Sequence, residues 1–371
     1  NFVKLLYQFV HVLTSRRKNY ITSKVIKKFT NAFVGFHDVK CYSSQSSQAV
    51  FHKVCDNKRR KITSSDTVEI CVYNFETDRT KVIDTTHAFN WQMGSRLQIL
   101  PSNAIIWNKI EDNTLKSKLL ENDNFHIQPY SIYSASDVGI AATVNFTNIE
   151  KHMPGYGYVG SFIEACELNE IIIWNLRDSV KLKSIILDDF SEKSFITHLQ
   201  FNPGGDLLAF FIRETSHQYS FSTELVVYDW QAGEIIGRTT ELSVITHFTW
   251  CENSIVMFCL YENEFQYVNY DIFLGNYSTY NNLQNLPDGH PNFLHGTGMV
   301  TDTYPDRQRC QKLYYSNDMS NTPKLIGDFY SPLYYRGYSR VDLHPRLHKN
   351  GFISIDCIDH DRVSTFLLKS G

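Results

Sequence analysis

A repeated histidine-containing segment constrains the fold of this chain more than any other feature of its sequence. A polar turn and an apolar run follow the shared histidine in each copy, and the steps between the histidines are 49, 43 and 54 residues. These steps are close to the length of a four-stranded propeller blade. Four segments align without gaps: Ile196-Thr-His-Leu-Gln-Phe-Asn-Pro, Ile245-Thr-His-Phe-Thr-Trp-Cys-Glu, Asp288-Gly-His-Pro-Asn-Phe-Leu-His and Asp342-Leu-His-Pro-Arg-Leu-His-Lys.

The repeat predicts a closed ring of blades. One such unit cannot bury both of its faces or protect its strand edges, whereas a ring of them can. Weaker copies begin near Arg96 and Tyr130, and an irregular first blade fits over Phe33–Thr86. The sequence therefore predicts an all-β, seven-bladed β-propeller over residues 31–371. The 66 residues between Tyr130 and Ile196 exceed one blade, so we expect an insertion at Asn145–Gly160.

Residue usage supports a β-rich chain. The sequence contains 22 tyrosines and 25 phenylalanines, and aromatic residues are enriched in strands. Alternating runs such as Thr67–Phe75 and Thr223–Trp230 are separated by clusters of Asn, Asp and Gly, which is typical of short antiparallel strands.

Residues 1–30 differ from the rest of the chain and are predicted to form a basic N-terminal helical arm. They contain seven Lys or Arg residues and no acidic residue. A short helix is predicted from apolar residues at helical spacing. Two interpretations stay open: a solvated helix packed on the propeller rim, or a peripheral contact with an anionic membrane or polymer. The apolar residues are Phe2, Leu5, Leu6, Phe9, Val10 and Leu13.

Charge and cysteine usage limit the partners and the compartment. The net charge of −3 gives no reason to expect nucleic acid as a partner. The eight cysteines form no CxxC pair, so we expect buried free thiols and a reducing, cytoplasmic environment. No clear signal peptide and no apolar run of transmembrane length is present, although the first residue is not Met.

The repeated histidines are the first candidate functional residues. Equivalent positions of successive blades lie at equal height around one axis, so these side chains are predicted to converge at one mouth of the channel. Converging imidazoles form a transition-metal site, or a base beside a second cation. The alternative is that each imidazole hydrogen-bonds within its own blade. The predicted metal ligands are His198, His247, His290 and His344.

The residues around the last two histidines suit an acidic sugar. Arginines form forked hydrogen bonds with a carboxylate, and tyrosines stack on sugar rings or exchange protons. Two structural alternatives stay open: Arg340 pairs with Asp342 inside its blade, and Pro154–Tyr158 is an ordinary aromatic turn. The candidate binding residues are Asp302, Tyr304, Arg336, Arg340, Arg346, Tyr335 and Tyr338, with Tyr156 and Tyr158 on a rim loop.

The segments Asp288-Gly-His-Pro-Asn-Phe, Thr301-Asp-Thr-Tyr-Pro-Asp and Asp342-Leu-His-Pro-Arg resemble the WD40-like, TolB-like propellers that include oligogalacturonate lyases. The resemblance is clearest over about 196–368. It implies a seven-bladed propeller that cleaves a uronic-acid polymer by β-elimination, helped by a divalent metal such as Mn²⁺. By position, His290 and His344 resemble two of the metal ligands. Asp342 departs from the pattern, which has a second histidine at this position.

The resemblance and the residues together give a mechanistic hypothesis. Arg340 or the metal neutralises the uronate carboxylate, His198 or His247 removes the adjacent proton, and Tyr304 protonates the leaving oxygen. The rival hypothesis is a propeller without turnover. Such a protein would bind an acidic polysaccharide or oligosaccharide, or act as an accessory scaffold in surface-polysaccharide biosynthesis.

Overall fold

The computed structural model describes residues 6, 9–10, 19–54, 60–188, 190–217, 220–242 and 244–370. Within these residues the strands form seven separate antiparallel sheets. Five of the seven sheets are each built from a consecutive part of the chain, and the other two add one strand from its beginning, which confirms the predicted seven-bladed propeller.

The strands follow the predicted blades closely. The chain starts with β1 (Tyr20–Ile21) and β2 (Lys24–Thr30). Blade 1 contains β3 (Ala32–Phe33), β4 (Tyr42–Ser43), β5 (Gln48–Lys53), β6 (Val68–Asn74) and β7 (Arg79–Thr86). Blade 2 contains β8 (Gln98–Ile99), β9 (Ile105–Glu111), β10 (Thr114–Glu121) and β11 (Asn124–Gln128). Blade 3 contains β12 (Ser134–Ala135), β13 (Ile140–Thr143), β14 (Glu170–Asn175) and β15 (Lys181–Ile186).

The remaining blades carry the four strong repeats. Blade 4 contains β16 (Ser194–Phe201), β17 (Leu207–His217), β18 (Ser220–Asp229) and β19 (Glu234–Arg238). Blade 5 contains β20 (Ile245–Cys251), β21 (Ser254–Tyr261), β22 (Glu264–Asp271) and β23 (Asn276–Thr279). Blade 6 contains β24 (Asn292–Leu294), β25 (Gly298–Asp302), β26 (Cys310–Ser316) and β27 (Lys324–Tyr330). Blade 7 contains β28 (Arg346–His348), β29 (Phe352–Asp359) and β30 (Arg362–Lys369).

The strand sequences reflect their depth in each blade. Middle strands such as Ile171–Trp174 and Leu207–Phe211 are continuous apolar runs, because both of their faces pack against neighbouring blades. Outer strands such as Asn124–Gln128 are mostly exposed. Some hairpins turn through two residues with positive φ, as at Asp112–Asn113 and Glu262–Asn263, which matches the right-handed strand twist.

The beginning of the chain closes the ring, which corrects the predicted arm. β2 pairs with β30 as the outer strand of blade 7, and β1 adds a fifth strand to blade 6 by pairing with β27. Residues 20–30 are therefore largely strand and not helix, because the open edges of these two blades offer them unpaired backbone groups. The predicted helix over 2–13 lies almost entirely outside the described residues.

The predicted insertion is present in blade 3, between β13 and β14. It contains helix α1 (Phe146–His152), whose N-cap Asn145 accepts a hydrogen bond from the Asn148 amide. Two short 3₁₀ turns, Gly337–Ser339 and Lys349–Gly351, lie in and after the linker to blade 7. The insertion and this linker both reach the channel mouth.

The inner strand of blade 1 is interrupted, and this positions a plug at the axis. Residues 34–41 leave the sheet between β3 and β4 and bring Phe36 and His37 among the repeated histidines. Gly35 has a φ of 116°, and a Cβ there would lie 2.7 Å from the Met93 carbonyl group. Only glycine allows the chain to turn towards the axis at this point.

Two further observations concern the cysteines and the length of the helices. All seven cysteines in the described ranges are free, and five of them are buried. No helix within the described parts of the chain has the length and apolar character needed to cross a membrane.

Candidate functional site

The four repeated histidines lie side by side. Neighbouring ring centroids are 6.0 Å apart for His198 and His247, 4.3 Å for His247 and His290, and 4.4 Å for His290 and His344. All four side chains are buried. The blades thus bring equivalent positions together, as the register of the repeat predicts.

Phe36 occupies the centre of this arc, and sequence reasoning missed it. Its ring centroid lies 5.0 to 6.4 Å from those of all four histidines. The ring centroid of the next residue, His37, lies 5.5 Å from that of His290, and within the described part of the chain neither of its ring nitrogens has a hydrogen-bond partner. Blade 1 lacks the repeated motif, so the repeat gave no signal for either residue.

Three side chains in this arc present metal-ligand atoms to one point. Ligand atoms of His290, Asp342 and His344 all lie within 4.8 Å of one another. Among the described residues, the Nε2 atoms of both histidines and Oδ1 of Asp342 are buried without a hydrogen-bond partner. Buried polar atoms are normally satisfied, so an orphaned atom on each of these three neighbouring side chains fits a bound cation. His198 and His247 are outside this group.

Asp302 orients both histidines of this group. Its carboxylate accepts hydrogen bonds from His290 Nδ1 at 2.9 Å and from the backbone amides of His290 and His344 at 2.7 and 3.2 Å. Burial lowers the pKa of both imidazoles well below its usual range and raises the pKa of Asp302 to about 7. Above that pH the ionised carboxylate accepts a hydrogen bond from the Nδ1–H of neutral His290, which leaves the Nε2 lone pair for a cation.

His247 forms a second functional group with Asp288 and Tyr304. Its Nδ1 lies 3.3 Å from Asp288 Oδ1, and its Nε2 lies 3.5 Å from the Tyr304 hydroxyl. Burial raises the pKa of Tyr304 well above its usual value, so the phenol keeps its proton. Burial opposes ionisation of Asp288, but nearby His247 and Thr246 lower the pKa of its carboxyl overall. This arrangement places a base and a proton donor side by side.

A cleft of about 530 Å³ opens beside these residues. Blade 3 contributes Tyr156 from the insertion, and the linker to blade 7 contributes Tyr338 and Arg340. His247, Asp288 and Tyr304 line its wall, so the predicted residues Tyr156, Tyr304, Tyr338 and Arg340 all reach one space.

Arg340 contacts several residues in and beside the cleft. Its guanidinium donates to Asp342 Oδ2 at 2.5 Å and to the Tyr156 hydroxyl at 2.7 Å, and it lies over the Tyr304 ring at 5.5 Å. The pairing of Arg340 with Asp342 that the sequence left open is therefore present. It coexists with a place on the cleft wall, where Arg340 keeps 31% of its side chain exposed.

Arg213 is a cleft residue that sequence reasoning missed. It is buried, and one terminal nitrogen donates to the Thr246 carbonyl oxygen at 3.0 Å. Its Nε has no hydrogen-bond partner, and within the described ranges no carboxylate forms an ion pair with it. Burial lowers its pKa to about 10. In the sequence, the signal for this residue is its position directly after the apolar run Leu207–Ile212, where a charged side chain is unusual.

Four predicted site residues lie elsewhere. Tyr158 is buried and its hydroxyl accepts from Asn108, while Tyr335 is buried and donates to the Asp361 carbonyl oxygen. Arg346 is buried and bonds Asp356 and the carbonyl oxygens of Gly35 and Phe36, so it supports the plug and does not face the cleft. Arg336 is exposed and lines a separate outer-rim pocket.

The position of His198 also differs from the one predicted for a metal ligand or a catalytic base. Its Nδ1 lies 3.1 Å from Thr197 Oγ1, its amide donates to the Tyr133 hydroxyl at 2.8 Å, and its ring packs against Phe36. It is not among the residues that line the cleft. Of the two predicted bases, His247 is the one beside the cleft.

Comparison with solved structures identifies similar propellers. An oligogalacturonate lyase in complex with manganese has a TM-score of 0.65 and 14% identity, covering 96% of this chain and 98% of that chain. An oligogalacturonate lyase from Vibrio parahaemolyticus has a TM-score of 0.61 and 13% identity, covering 95% and 98%. Hydrazine synthase from Kuenenia stuttgartiensis has a TM-score of 0.52 and 11% identity, covering 93% and 98%.

No protein-family model and no curated protein matches the sequence. At these identities the structural likeness shows the fold alone. The chain has the propeller fold of the oligogalacturonate lyases, as the sequence resemblance predicts.

Proposed function

We propose that this protein cleaves a uronic-acid-containing glycan by metal-assisted β-elimination at the channel mouth. One observation carries the proposal: the orphaned ligand atoms of His290, Asp342 and His344 lie beside a cleft walled by two arginines and a His–Asp pair. A cation site, carboxylate receptors and a base are the parts that this reaction needs.

The proposed metal is Mn²⁺ or a similar divalent ion. Two imidazoles and one carboxylate suit such an ion, and a solved propeller of this fold is a manganese complex. When bound, the ion would supply Lewis-acid neutralisation of the uronate carboxylate. Asp302 would keep His290 in the ligating tautomer.

Arg213 and Arg340 are the proposed receptors for the substrate carboxylate. Arg213 lines the cleft and forms no ion pair with any described residue. A substrate anion would therefore offset the free-energy cost of burying its positive charge. Arginine binds carboxylates through two parallel hydrogen bonds, which also fixes the sugar ring in place. Neutralising the carboxylate acidifies the proton on the adjacent ring carbon.

His247 is the proposed base and Tyr304 the proposed acid. His247 would accept the proton on the carbon next to the carboxylate, with Asp288 stabilising the imidazolium that forms. The electron pair would form a carbon–carbon double bond as the bond to the glycosidic oxygen breaks. Tyr304 would donate its hydroxyl proton to that oxygen.

The test is formation of an unsaturated uronate from oligogalacturonates, followed by ultraviolet absorbance with Mn²⁺ present. His247→Gln is expected to reduce the rate at least about 100-fold, because general bases contribute about 10² to 10⁴. His295→Gln, an exposed histidine paired with Glu252, is the control and should keep the wild-type rate. No product from any uronate glycan would reject the lyase proposal.

One observation favours the alternative of a glycan-binding protein without turnover. Asp342 occupies a position where the resembling propellers have a histidine, and it is already paired with Arg340. Under this alternative, oligogalacturonates bind in the cleft and the absorbance does not change.

A further inference from the structure

We propose that Arg340 couples cation binding at His290, Asp342 and His344 to anion binding in the cleft, through the carboxylate of Asp342 that both sites share. This inference rests on the proposed function, in that it takes the first site for a cation and the second for a uronate. It adds a regulatory relation between them: each ligand raises the affinity for the other.

The contacts of Asp342 place it between the two sites. Its Oδ2 accepts from Arg340 Nε at 2.5 Å and lies 4.0 Å from His344 Nε2, while its Oδ1 is buried without a hydrogen-bond partner among the described residues. The side chain of Asp342 is fully buried, whereas that of Arg340 is 31% exposed. One carboxylate thus belongs to the cation group and also binds the arginine of the cleft wall.

The negative charge of Asp342, which both sites share, determines whether one ligand strengthens or weakens the binding of the other. Without a metal, the single negative charge of Asp342 is directed to Arg340 and competes with any anion for that guanidinium. A cation bound by this carboxylate draws on the same charge, which weakens the ion pair between Asp342 and Arg340 and favours a substrate carboxylate at Arg340. By linkage, the anion must raise the affinity for the cation by the same factor.

Other contacts keep Arg340 in position when its bond to Asp342 weakens. Tyr156 accepts from one terminal nitrogen at 2.7 Å, Gln92 lies 3.4 Å from the same nitrogen, and the Tyr304 ring lies beneath the guanidinium. Arg340 would therefore change its partner within the cleft without leaving it.

The experiment measures both affinities by titration calorimetry, with Mn²⁺ and D-galacturonate as probes and D-galactose as the uncharged comparison. We expect Mn²⁺ to tighten galacturonate binding about fivefold or more, and galacturonate to tighten Mn²⁺ binding by the same factor. Galactose should show no such dependence. A factor of one in the wild type, or no galacturonate binding, would overturn the proposal.

Variants distinguish coupling through Arg340 and Asp342 from direct electrostatic attraction between Mn²⁺ and galacturonate. Arg340→Gln releases Asp342, so Mn²⁺ alone should bind more tightly than in the wild type, and the coupling factor should fall towards one. Asp342→Asn should bind galacturonate more tightly without metal, because Arg340 loses its competitor. Arg336→Gln on the outer rim is the matched control. Unchanged coupling in Arg340→Gln, or in Arg340→Lys if the first variant does not fold, would overturn the proposal.

The outcome is independent of turnover. D-Galacturonate has no glycosidic bond to eliminate, so coupling can be observed even if the protein is not a lyase. Conversely, lyase activity with no coupling would retain the proposed function and reject the role of Arg340.

Discussion

Asp302 and Gly289 position the side chains of the proposed cation site. Asp302 contacts the ring of His290 and the backbone of both His290 and His344. Gly289 allows this approach, because a Cβ at that position would collide with the Asp302 carbonyl oxygen. The proposed ligands are therefore held in place by groups outside the ligand set.

Replacing Asp302 by Asn is expected to weaken Mn²⁺ binding about 10- to 100-fold, the range typical of groups that orient a ligating histidine. The amide has a similar shape but lacks the charge that fixes the Nδ1 proton of His290. Electron paramagnetic resonance of free Mn²⁺ measures the affinity. Asp137→Asn, which removes an exposed carboxylate paired with Lys40, is the control. Equal affinities for the two variants would show that Asp302 has no orienting role.

Gly289→Ala is expected to lower the free energy of unfolding by about 1–3 kcal/mol, because the new methyl group meets backbone atoms of β25. Urea unfolding measures this loss. Gly237→Ala on β19 is the comparison, since its nearest neighbour is the movable Tyr270 hydroxyl at 3.0 Å. If Gly289→Ala is no less stable than Gly237→Ala, the close approach is not a constraint.

At the scale of elements, the blade 3 insertion forms one wall of the cleft. Helix α1 is anchored at its beginning by Glu164, whose carboxylate accepts from the Thr147 amide at 2.7 Å and from its hydroxyl at 2.9 Å. At its end, Glu150 accepts from the Gly155 amide at 2.7 Å, next to Tyr156. The helix therefore fixes the position of the tyrosine that contacts Arg340.

The ionisation of Glu164 gives a pH-dependent prediction. Burial raises its pKa from 4.5 to about 7, so between these values the folded protein binds more protons than the unfolded chain. Stability from this group is fully present below about pH 4.5 and is lost as the pH rises through 7. Glu164→Gln should therefore gain in melting temperature relative to wild type between pH 5 and pH 8. Glu167→Gln, at an exposed neighbouring position, is the matched control.

At the scale of the whole molecule, ring closure joins the two ends of the described chain. β2 completes blade 7, and its Phe29 is buried against blade 1, where it stacks on Phe51 at 4.4 Å and meets Tyr73 edge-on at 5.1 Å. The closing strand thus seals the seam between the last blade and the first. The channel mouth depends on this closure, because the plug from blade 1 must meet the histidines of blades 4 to 7.

Phe29→Ala is expected to destabilise the protein by about 3 kcal/mol, the lower end of the range for large aromatic residues in cores. Val25→Ala on the same strand removes a side chain that is 42% exposed and should cost less than about 0.5 kcal/mol. Urea unfolding compares the two. Equal losses would mean that the strand does not seal the seam.

The features that the repeat determines could be predicted from the sequence, whereas the segments that lack the repeat could not. The spacing of the shared histidines gave the blade number, the place of the insertion and the convergence of imidazoles. It did not give Phe36, His37 or the closing strand, because these depend on contacts between distant parts of the chain and carry no repeated motif. Arg346 was assigned to the ligand on its type alone, whereas burial beside Asp356 gives it a structural role.

The central claim is that His290, Asp342 and His344 bind one divalent cation at the channel mouth. Anomalous diffraction at the manganese absorption edge, from crystals soaked in Mn²⁺, tests it most directly. We expect a single strong peak about 2.0–2.4 Å from Nε2 of both histidines and from one carboxylate oxygen of Asp342. The absence of a peak there, or a peak bound only by residues outside this group, would contradict it.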